Sequence, residues 1–400
     1  MVNIAILGFG VVGSGTAEVL TENKSIIEER LGYEYRIKYI LDLRDFPDSP
    51  FAPLIVHDFN IILNDPEVSI VAEMMGGSHP AYDFSRACLL AGKSVVTSNK
   101  EVVSNFGAEL CRLASENKVR YLFEASVGGG IPIIRPLLND LASNNITRIS
   151  GILNGTTNYI LTQMRDCGSS FEDALHEAQK LGYAEANPSA DIDGIDAARK
   201  IVILAALASG KLINPKNIYT EGISSITLSD TKFAEALGYS VKLIGYADTG
   251  NGKLTVLVSP RMVPFNNPLC RIDGVFNGIL VSADMVGEVM FYGPGAGKLP
   301  TASAVTADII DIIANRNSTA KPIDWSDAAD SDIADFSEYT CKRMFILGCS
   351  PENIPAVFGN QNPVCIDGKC AFVTQSMSES QVEELKNTHG DLILSVYRVM

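Results

Sequence analysis

The sequence predicts an α/β protein that begins with a doubly wound parallel sheet. Short apolar runs alternate with helical stretches from residue 2 to about residue 123, the rhythm of strands joined by crossover helices. The first run leads straight into Gly8-Phe9-Gly10-Val11-Val12-Gly13, and a helical pattern opens behind it. After Pro132 the texture changes, which predicts a second α/β domain with a mixed sheet of its own.

Taken in order, residues 2–7 read as a buried strand and the helix after the glycines runs to about residue 30. Strands follow at 35–41, 70–74, 94–97 and 119–123, with helices at 80–91 and 106–117. In the second domain, strands are expected at 149–153, 216–222, 242–248 and 254–263. Helices are expected at 159–165, 171–181, 194–209 and 227–237. A glycine-rich turn at 293–297 precedes a helix over 301–316. Residues 321–335, rich in Asp, Ala and Ser, read as a linker. Beyond it, β-like runs at 339–347, 371–374 and 392–399 surround a helix at 378–387. The expected domains are 1–134, completed by the 301–316 helix, then 135–300, then a small segment at 336–400.

Composition narrows the function. The net charge of −15, with no basic run, argues against nucleic acid or an anionic membrane as partner. The N-terminus lacks the pattern of a signal peptide, and no apolar run is long enough to span a bilayer, so a cytoplasmic protein is expected. The eight cysteines include no Cys-x-x-Cys pair, so neither a zinc site nor a disulfide framework is expected. Cys365 and Cys370 read as small hydrophobes flanking a hairpin.

Gly-x-Gly-x-x-Gly is a weak signal alone. Here it follows a strand and opens a helix, the context in which it binds a dinucleotide in a Rossmann-like fold. Gly8 permits the tight turn, Gly10 lets backbone N–H groups of the Phe9–Val12 stretch approach a pyrophosphate, and Gly13 permits close helix–strand packing. The helix N-terminus adds partial positive charge. At the end of the second strand, Asp42 would accept hydrogen bonds from a ribose 2′-hydroxyl and repel a 2′-phosphate, which favours NAD over NADP. Arg44 is the alternative, since a guanidinium there would meet the 2′-phosphate.

Residues 178–200 carry the densest chemistry. Glu185, Asp191, Asp196 and Lys200 surround one loop and the start of one helix, and that helix continues as Ile-Val-Ile-Leu-Ala-Ala-Leu-Ala. Asp196 and Lys200 are four apart and share a face. A helix apolar nearly all round is buried. Its charges must then be satisfied by one another or by a ligand; the bland alternative is a solvated surface pair.

These segments, with Met75-Gly76-Gly77, residues 96–100, 123–132, 151–159 and 297–304, together closely resemble the homoserine dehydrogenases, collinearly over about residues 1–320. The resemblance implies reversible hydride transfer between NAD(P)H and L-aspartate 4-semialdehyde, giving L-homoserine. It makes Lys200 the proton donor and Lys100 a second lysine near nicotinamide and substrate. Glu185 and Asp196 become substrate-binding acids and Asp191 an acid at the site's edge. Gly182, Thr156 and Gly297 would line the pocket, and Ser98 would join the cofactor contacts. Glu124, Val127, Gly129 and Ile131 would form a monovalent-cation site, such as for sodium, largely through carbonyls. From the residues alone, Gly128-Gly129-Gly130 is equally a flexible turn. The family also implies a homodimer or higher assembly through the region of about 135–300.

The chemistry agrees. Hydride reaching an aldehyde carbon leaves an alkoxide, which an ammonium can stabilise and protonate. Two neighbouring lysines would depress one another's pKa. A semialdehyde dehydrogenase acting through an acyl-cysteine would need an activated thiol, yet Cys88 and Cys111 fall inside expected helices. A dinucleotide-sensing module leaves both lysines and the three acids without a role. Many members of the family end in an ACT regulatory domain. Here the final residues resemble its back half only, an ACT-like remnant, which leaves control by threonine open.

Overall fold

The computed structural model describes residues 1–250, 252–316, 323–359 and 362–400. The chain packs as two compact units, the first comprising residues 1–143, 202–215 and 293–327, the second 144–201, 216–292 and 328–400.

In chain order the first stretch supplies β1 (Val2–Leu7), α1 (Val11–Glu22), α2 (Lys24–Leu31), β2 (Tyr35–Leu41), β3 (Ile55–Val56), α3 (Phe59–Leu63), β4 (Val68–Glu73), α4 (Ala81–Leu90), β5 (Ser94–Thr97), α5 (Lys100–Glu116) and β6 (Tyr121–Leu122). All six strands are parallel, in the order β3-β2-β1-β4-β5-β6. This is the doubly wound order, with its switch point between β1 and β4. Ile4 and Ile6 of β1 lie in the core with Ile40, Ile70, Ala72 and Val96 from neighbouring strands. The single helix expected up to residue 30 is two, divided at Asn23. β3 is a two-residue edge strand, too short for periodicity to reveal. α5 begins six residues earlier than expected because Asn99 caps it, accepting from the backbone N–H groups of Glu101 and Val102.

The chain continues with β7 (Ile146–Ile152), α6 (Gly155–Cys167), α7 (Phe171–Lys180), α8 (Ser189–Ile192), α9 (Ile195–Ser209), β8 (Lys211–Leu212), β9 (Tyr219–Thr220), α10 (Leu228–Ala236), β10 (Tyr239–Asp248), β11 (Thr255–Pro264), β12 (Phe276–Ala283), β13 (Gly287–Pro294) and α11 (Lys298–Ala314). α11 packs beside α1, where a Cβ on Gly15 would come within 2.9 Å of Lys298. Three expectations need correction. Residues 216–222 hold only the two-residue β9. β10 starts at Tyr239. β12 and β13 form a further hairpin whose alternation is broken by Asn277, Gly278 and Gly287.

The last stretch gives β14 (Ser326–Asp327), β15 (Thr340–Cys341), β16 (Arg343–Leu347), β17 (Val364–Ile366), β18 (Lys369–Val373), β19 (Met377–Ser378), α12 (Glu379–His389) and β20 (Ile393–Val399). Residues 321–322 of the expected linker lie outside the described residues. The rest of it is docked: Trp325 is buried against Phe123, and β14 pairs with β8. The front half of the C-terminal segment, unrecognised in the sequence, is present as β16 and the β17–β18 hairpin. The spatial order β20-β16-β18-β17, with α12 before the last strand, is ferredoxin-like. Two 3₁₀ turns at Pro351–Asn353 and Ala356–Phe358 follow β16, between it and the hairpin. A split βαβ unit would place its first helix there, and these short turns leave no helical period to read. β20 also pairs in parallel with β11, so the mixed sheet runs β13-β12-β7-β10-β11-β20-β16-β18-β17, with β9 beside β11.

Cys365 and Cys370 form a disulfide, which corrects their reading as unlinked hydrophobes. The two-residue Asp367-Gly368 turn, both residues at positive φ, makes them register partners across the hairpin. Among the described residues, no helix is long and apolar enough to cross a membrane.

Candidate active site

The glycine turn lies at the switch point. Gly8 has φ +88°, and a Cβ on Gly13 would stand 1.9 Å from the Gly8 carbonyl oxygen, so the turn closes only with glycine at both positions. Gly10 faces open space, and Val11 and Val12 start α1. The Phe9 N–H donates to Asp42 Oδ2 at 2.8 Å, tying the turn to the end of β2. Arg44 donates to the same carboxylate from its backbone N, Nε and Nη2, each at 3.0 Å. The Arg44 guanidinium holds Asp42 well below the usual carboxylate range. Four N–H donors fill this carboxylate. The Arg44 side chain is itself 64% exposed, with its guanidinium 5.1 Å from the Phe46 ring centroid. This donor set fits a dinucleotide: an uncrowded glycine turn at a helix N-terminus, with an acid at the ribose end.

A buried network that sequence reasoning missed supports Lys100. Glu73, at the end of β4, accepts from Thr97 Oγ1 at 2.6 Å and from the Met75 N–H at 2.6 Å. Thr97 Oγ1 in turn accepts from the Asn99 N–H, and Asn99 Nδ2 holds the Gly77 carbonyl. Burial raises Glu73 to about 7. Ser98 N donates to the Glu73 carbonyl, and Lys100 opens α5 directly after the Asn99 cap. A carboxylate at the carboxyl end of a parallel strand was the available signal.

In the second unit, Asn154 caps α6 and its Nδ2 bridges two acids, Asp191 Oδ1 at 2.7 Å and Asp196 Oδ2 at 2.9 Å. Lys200 Nζ lies 3.0 Å from Asp196 Oδ2 and donates to the Leu153 carbonyl at 2.7 Å. Asp196 and Lys200 are both buried, so the solvated-pair alternative fails. Thr156 Oγ1 holds the Tyr183 carbonyl at 2.6 Å, beside Gly182, whose φ of +77° follows the end of α7. Glu185 is exposed and takes no part in this hydrogen-bonded cluster. Asn154 was missed as a side chain; the Asn-Gly-Thr-Thr cap pattern was its signal.

The glycines at 128–130 have a third explanation besides flexibility or a cation: close packing. A Cβ on Gly129 would meet the Gly295 carbonyl oxygen at 2.3 Å, and one on Gly130 would meet Pro300 at 2.7 Å. Gly297, at φ +122°, then caps α11. The Glu124 carboxylate is engaged, accepting from the N–H groups of Ile133, Ile134 and Arg135. Val127 and Ile131 are buried beside it. Among the described residues, no group of three or more His, Cys, Asp or Glu side chains could hold a metal ion.

A Rossmann sheet with this turn, and a second unit with a buried acid–lysine cluster, define a dinucleotide-dependent oxidoreductase. The NAD-binding domain model of homoserine dehydrogenase matches residues 8–124, and the homoserine dehydrogenase model matches residues 132–310. A homoserine dehydrogenase from Neisseria gonorrhoeae is 47% identical over 315 residues, 78% of this chain and 72% of that protein. One from Synechocystis is 43% identical over 318 residues, 78% and 73% of the respective chains. The crystal structure of a homoserine dehydrogenase from Thiobacillus denitrificans superposes with a TM-score of 0.91 at 34% identity, covering 100% of this chain and 98% of that one. A hyperthermophilic archaeal homoserine dehydrogenase in complex with NADPH superposes at 0.67 with 32% identity, over 78% and 97% of the chains. The chain belongs to the homoserine dehydrogenase family and is an oxidoreductase of amino-acid biosynthesis.

Proposed function

We propose that Lys200 is the proton donor when L-aspartate 4-semialdehyde is reduced to L-homoserine, and the acceptor in reverse. The observation that carries this is the buried Lys200, held by Asp196 and the Leu153 carbonyl. A tethered ammonium can stabilise the alkoxide oxygen and hand it a proton without solvent reorganisation. The nicotinamide, when bound, gives or takes the hydride. Asp191 and Asp196, aligned by Asn154, and the exposed Glu185 are assigned to the substrate's ammonium and hydroxyl groups. Lys100 is assigned to the nicotinamide and substrate region, with Gly8, Phe9, Gly10, Val12, Gly13, Ser98 and Gly297 lining the dinucleotide.

Asp42 favours NAD, but its carboxylate can accept a ribose hydroxyl only if Arg44 lets go. The Arg44 pair therefore softens discrimination, and NADP is also used. A monovalent cation near Glu124, Val127, Gly129 and Ile131 would rest on main-chain carbonyls, the Glu124 carboxylate being engaged. A homodimer is supported by the edge strand β13, where Met290 and Tyr292 are exposed beside Phe276, Met285 and Val286. The test is steady-state oxidation of homoserine with NAD and with NADP, followed by nicotinamide absorbance. No turnover with either would overturn the reading.

A further inference from the structure

Asn99 does more than cap a helix. Its Oδ1 accepts from the Glu101 and Val102 N–H groups at 3.1 and 3.2 Å, which caps α5. Its Nδ2 donates to the Met75 and Gly77 carbonyls at 3.2 and 2.8 Å. The two donors and two acceptor positions of this amide are thus all used, in a side chain more than nine-tenths buried. Capping needs an acceptor only, which serine or aspartate supplies as well. The donor half is what asparagine adds, and it is spent on the loop after β4.

That loop borders the dinucleotide turn. β4 pairs with β1, the Met74 N–H donates to the Leu7 carbonyl at 2.8 Å, and a Cβ on Gly8 would stand 2.9 Å from the Met74 carbonyl oxygen. Ligands of doubly wound sheets lie in the crevice outside these carboxyl ends. A Cβ on Gly76 would meet nothing within 4 Å, so the middle of the loop is uncrowded. Three hydrogen bonds hold it: the two from Asn99, and that of the Met75 N–H to Glu73 Oε1 at 2.6 Å. Thr97 closes the ring. Its hydroxyl donates to Glu73 Oε2 at 2.6 Å and accepts from the Asn99 N–H at 2.9 Å. The loop and the first turn of α5, which starts with Lys100, are therefore joined through one side chain.

We propose that Asn99 is a positioning residue for the hydride transfer, holding the Met75–Gly77 backbone and Lys100 at one fixed spacing. This rests on the assignment of Lys100 to the nicotinamide and substrate region. Asn99 touches no reacting atom; it acts through the loop and the lysine.

The test compares full-length Asn99→Ser and Asn99→Asp. Both keep a capping oxygen and lose the Nδ2 donors, and aspartate also sets an oxygen against the two carbonyls. Asn99→Ser is expected to melt close to the unsubstituted protein. Without any ligand, its amide hydrogen exchange should quicken over residues 75–78 and stay slow in the first turn of α5. Its kcat should fall by about 10–100-fold, the scale of a misplacement of about 1 Å, with KM for homoserine changed less. Asn99→Asp should lose more, and either variant suffices if the other fails to fold. In a Lys100→Met background the same substitutions should cost much less, because no lysine is left to place. Unchanged exchange at residues 75–78, unchanged kcat in both variants, or an equal loss in both backgrounds would overturn the proposal. Undiminished turnover in Lys100→Met would overturn the assignment of Lys100, and the proposal with it; quickened exchange would then still show the bridge, so the two failures are told apart.

Discussion

Asp196 and Lys200 form an ion pair one turn apart, 3.0 Å between Oδ2 and Nζ, on a helix whose following residues, Ile201 to Ala206, are almost fully buried. Desolvating two charges is costly, and further hydrogen bonds offset part of it; here the Leu153 carbonyl accepts from Lys200 and Asn154 Nδ2 donates to Asp196 Oδ2. Lys200→Ala is predicted to bind the dinucleotide normally while kcat falls by about 10²–10⁴. It should also lose stability, because Asp196 is left uncompensated, by about 3–5 kcal/mol. Adding Asp196→Asn should recover melting temperature but not turnover; recovered turnover would remove Lys200 from the chemistry.

Asn154→Ala should act twice. Loss of the α6 cap costs about 1 kcal/mol. Loss of the bridge frees Asp191 and Asp196 to repel, so KM for homoserine should rise more than kcat falls. Asn154→Ser keeps a cap but not the bridge, and should restore melting temperature while KM stays high. If KM recovers too, the bridge has no part in binding.

Asp42→Ala should narrow the ratio of kcat/KM for NAD over NADP. Arg44→Ala should widen it, by freeing Asp42 for the ribose hydroxyl and removing a cation that a 2′-phosphate could use. Movement of both ratios in the same direction would refute the pairing argument.

Glu73 titrates near 7 in the folded protein because burial disfavours its charge, against about 4.3 for a free glutamate. Between these values the folded state holds the proton more tightly. Its contribution to stability is therefore full below about 4.3, falls as pH rises, and is flat above about 7. Glu73→Gln cannot ionise, so its melting temperature relative to the unsubstituted protein should climb from pH 5 to pH 8. A difference independent of pH would show that Glu73 ionises freely.

Removal of residues 336–400 should unfold more than the segment itself. β20 contributes partners to Arg261 and Met262, and Arg398 pairs with Glu221. The truncated chain is expected to aggregate or melt markedly lower, as an exposed β11 edge would. A soluble product with unchanged melting temperature would mean that the segment is an independent appendage. On the full chain, saturable stabilisation by threonine would favour a working effector unit, and no response an inert one.

The parallel sheet was legible because its central strands β1, β4 and β5 are mostly buried on both faces, which leaves apolar runs such as Ile4 to Leu7. The Asp196–Lys200 pair was legible because a period of four places residues on one helical face. What escaped lacks a local signature. Asn154 matters through residues 37 and 42 positions away. The β16 front strand carries Arg343, a charge at a buried position, answered by Glu379 from another element. Glycines 128–130 read as loose chain, although the missing side chains of Gly129 and Gly130 make room for residues 294–300 and that of Gly128 for Ile131.

The parallel pairing of β20 with β11 also bears on synthesis. β11 ends at Pro264, yet its neighbour begins only at Ile393. A nascent chain emerges from its N-terminus, so the middle of the large sheet stays one strand short until residues 393–399 have been translated. The first unit waits as well, for α11 and Trp325. Both bodies thus mature late and close together, so a ribosome stalled before residue 393 would carry an open sheet in need of a chaperone.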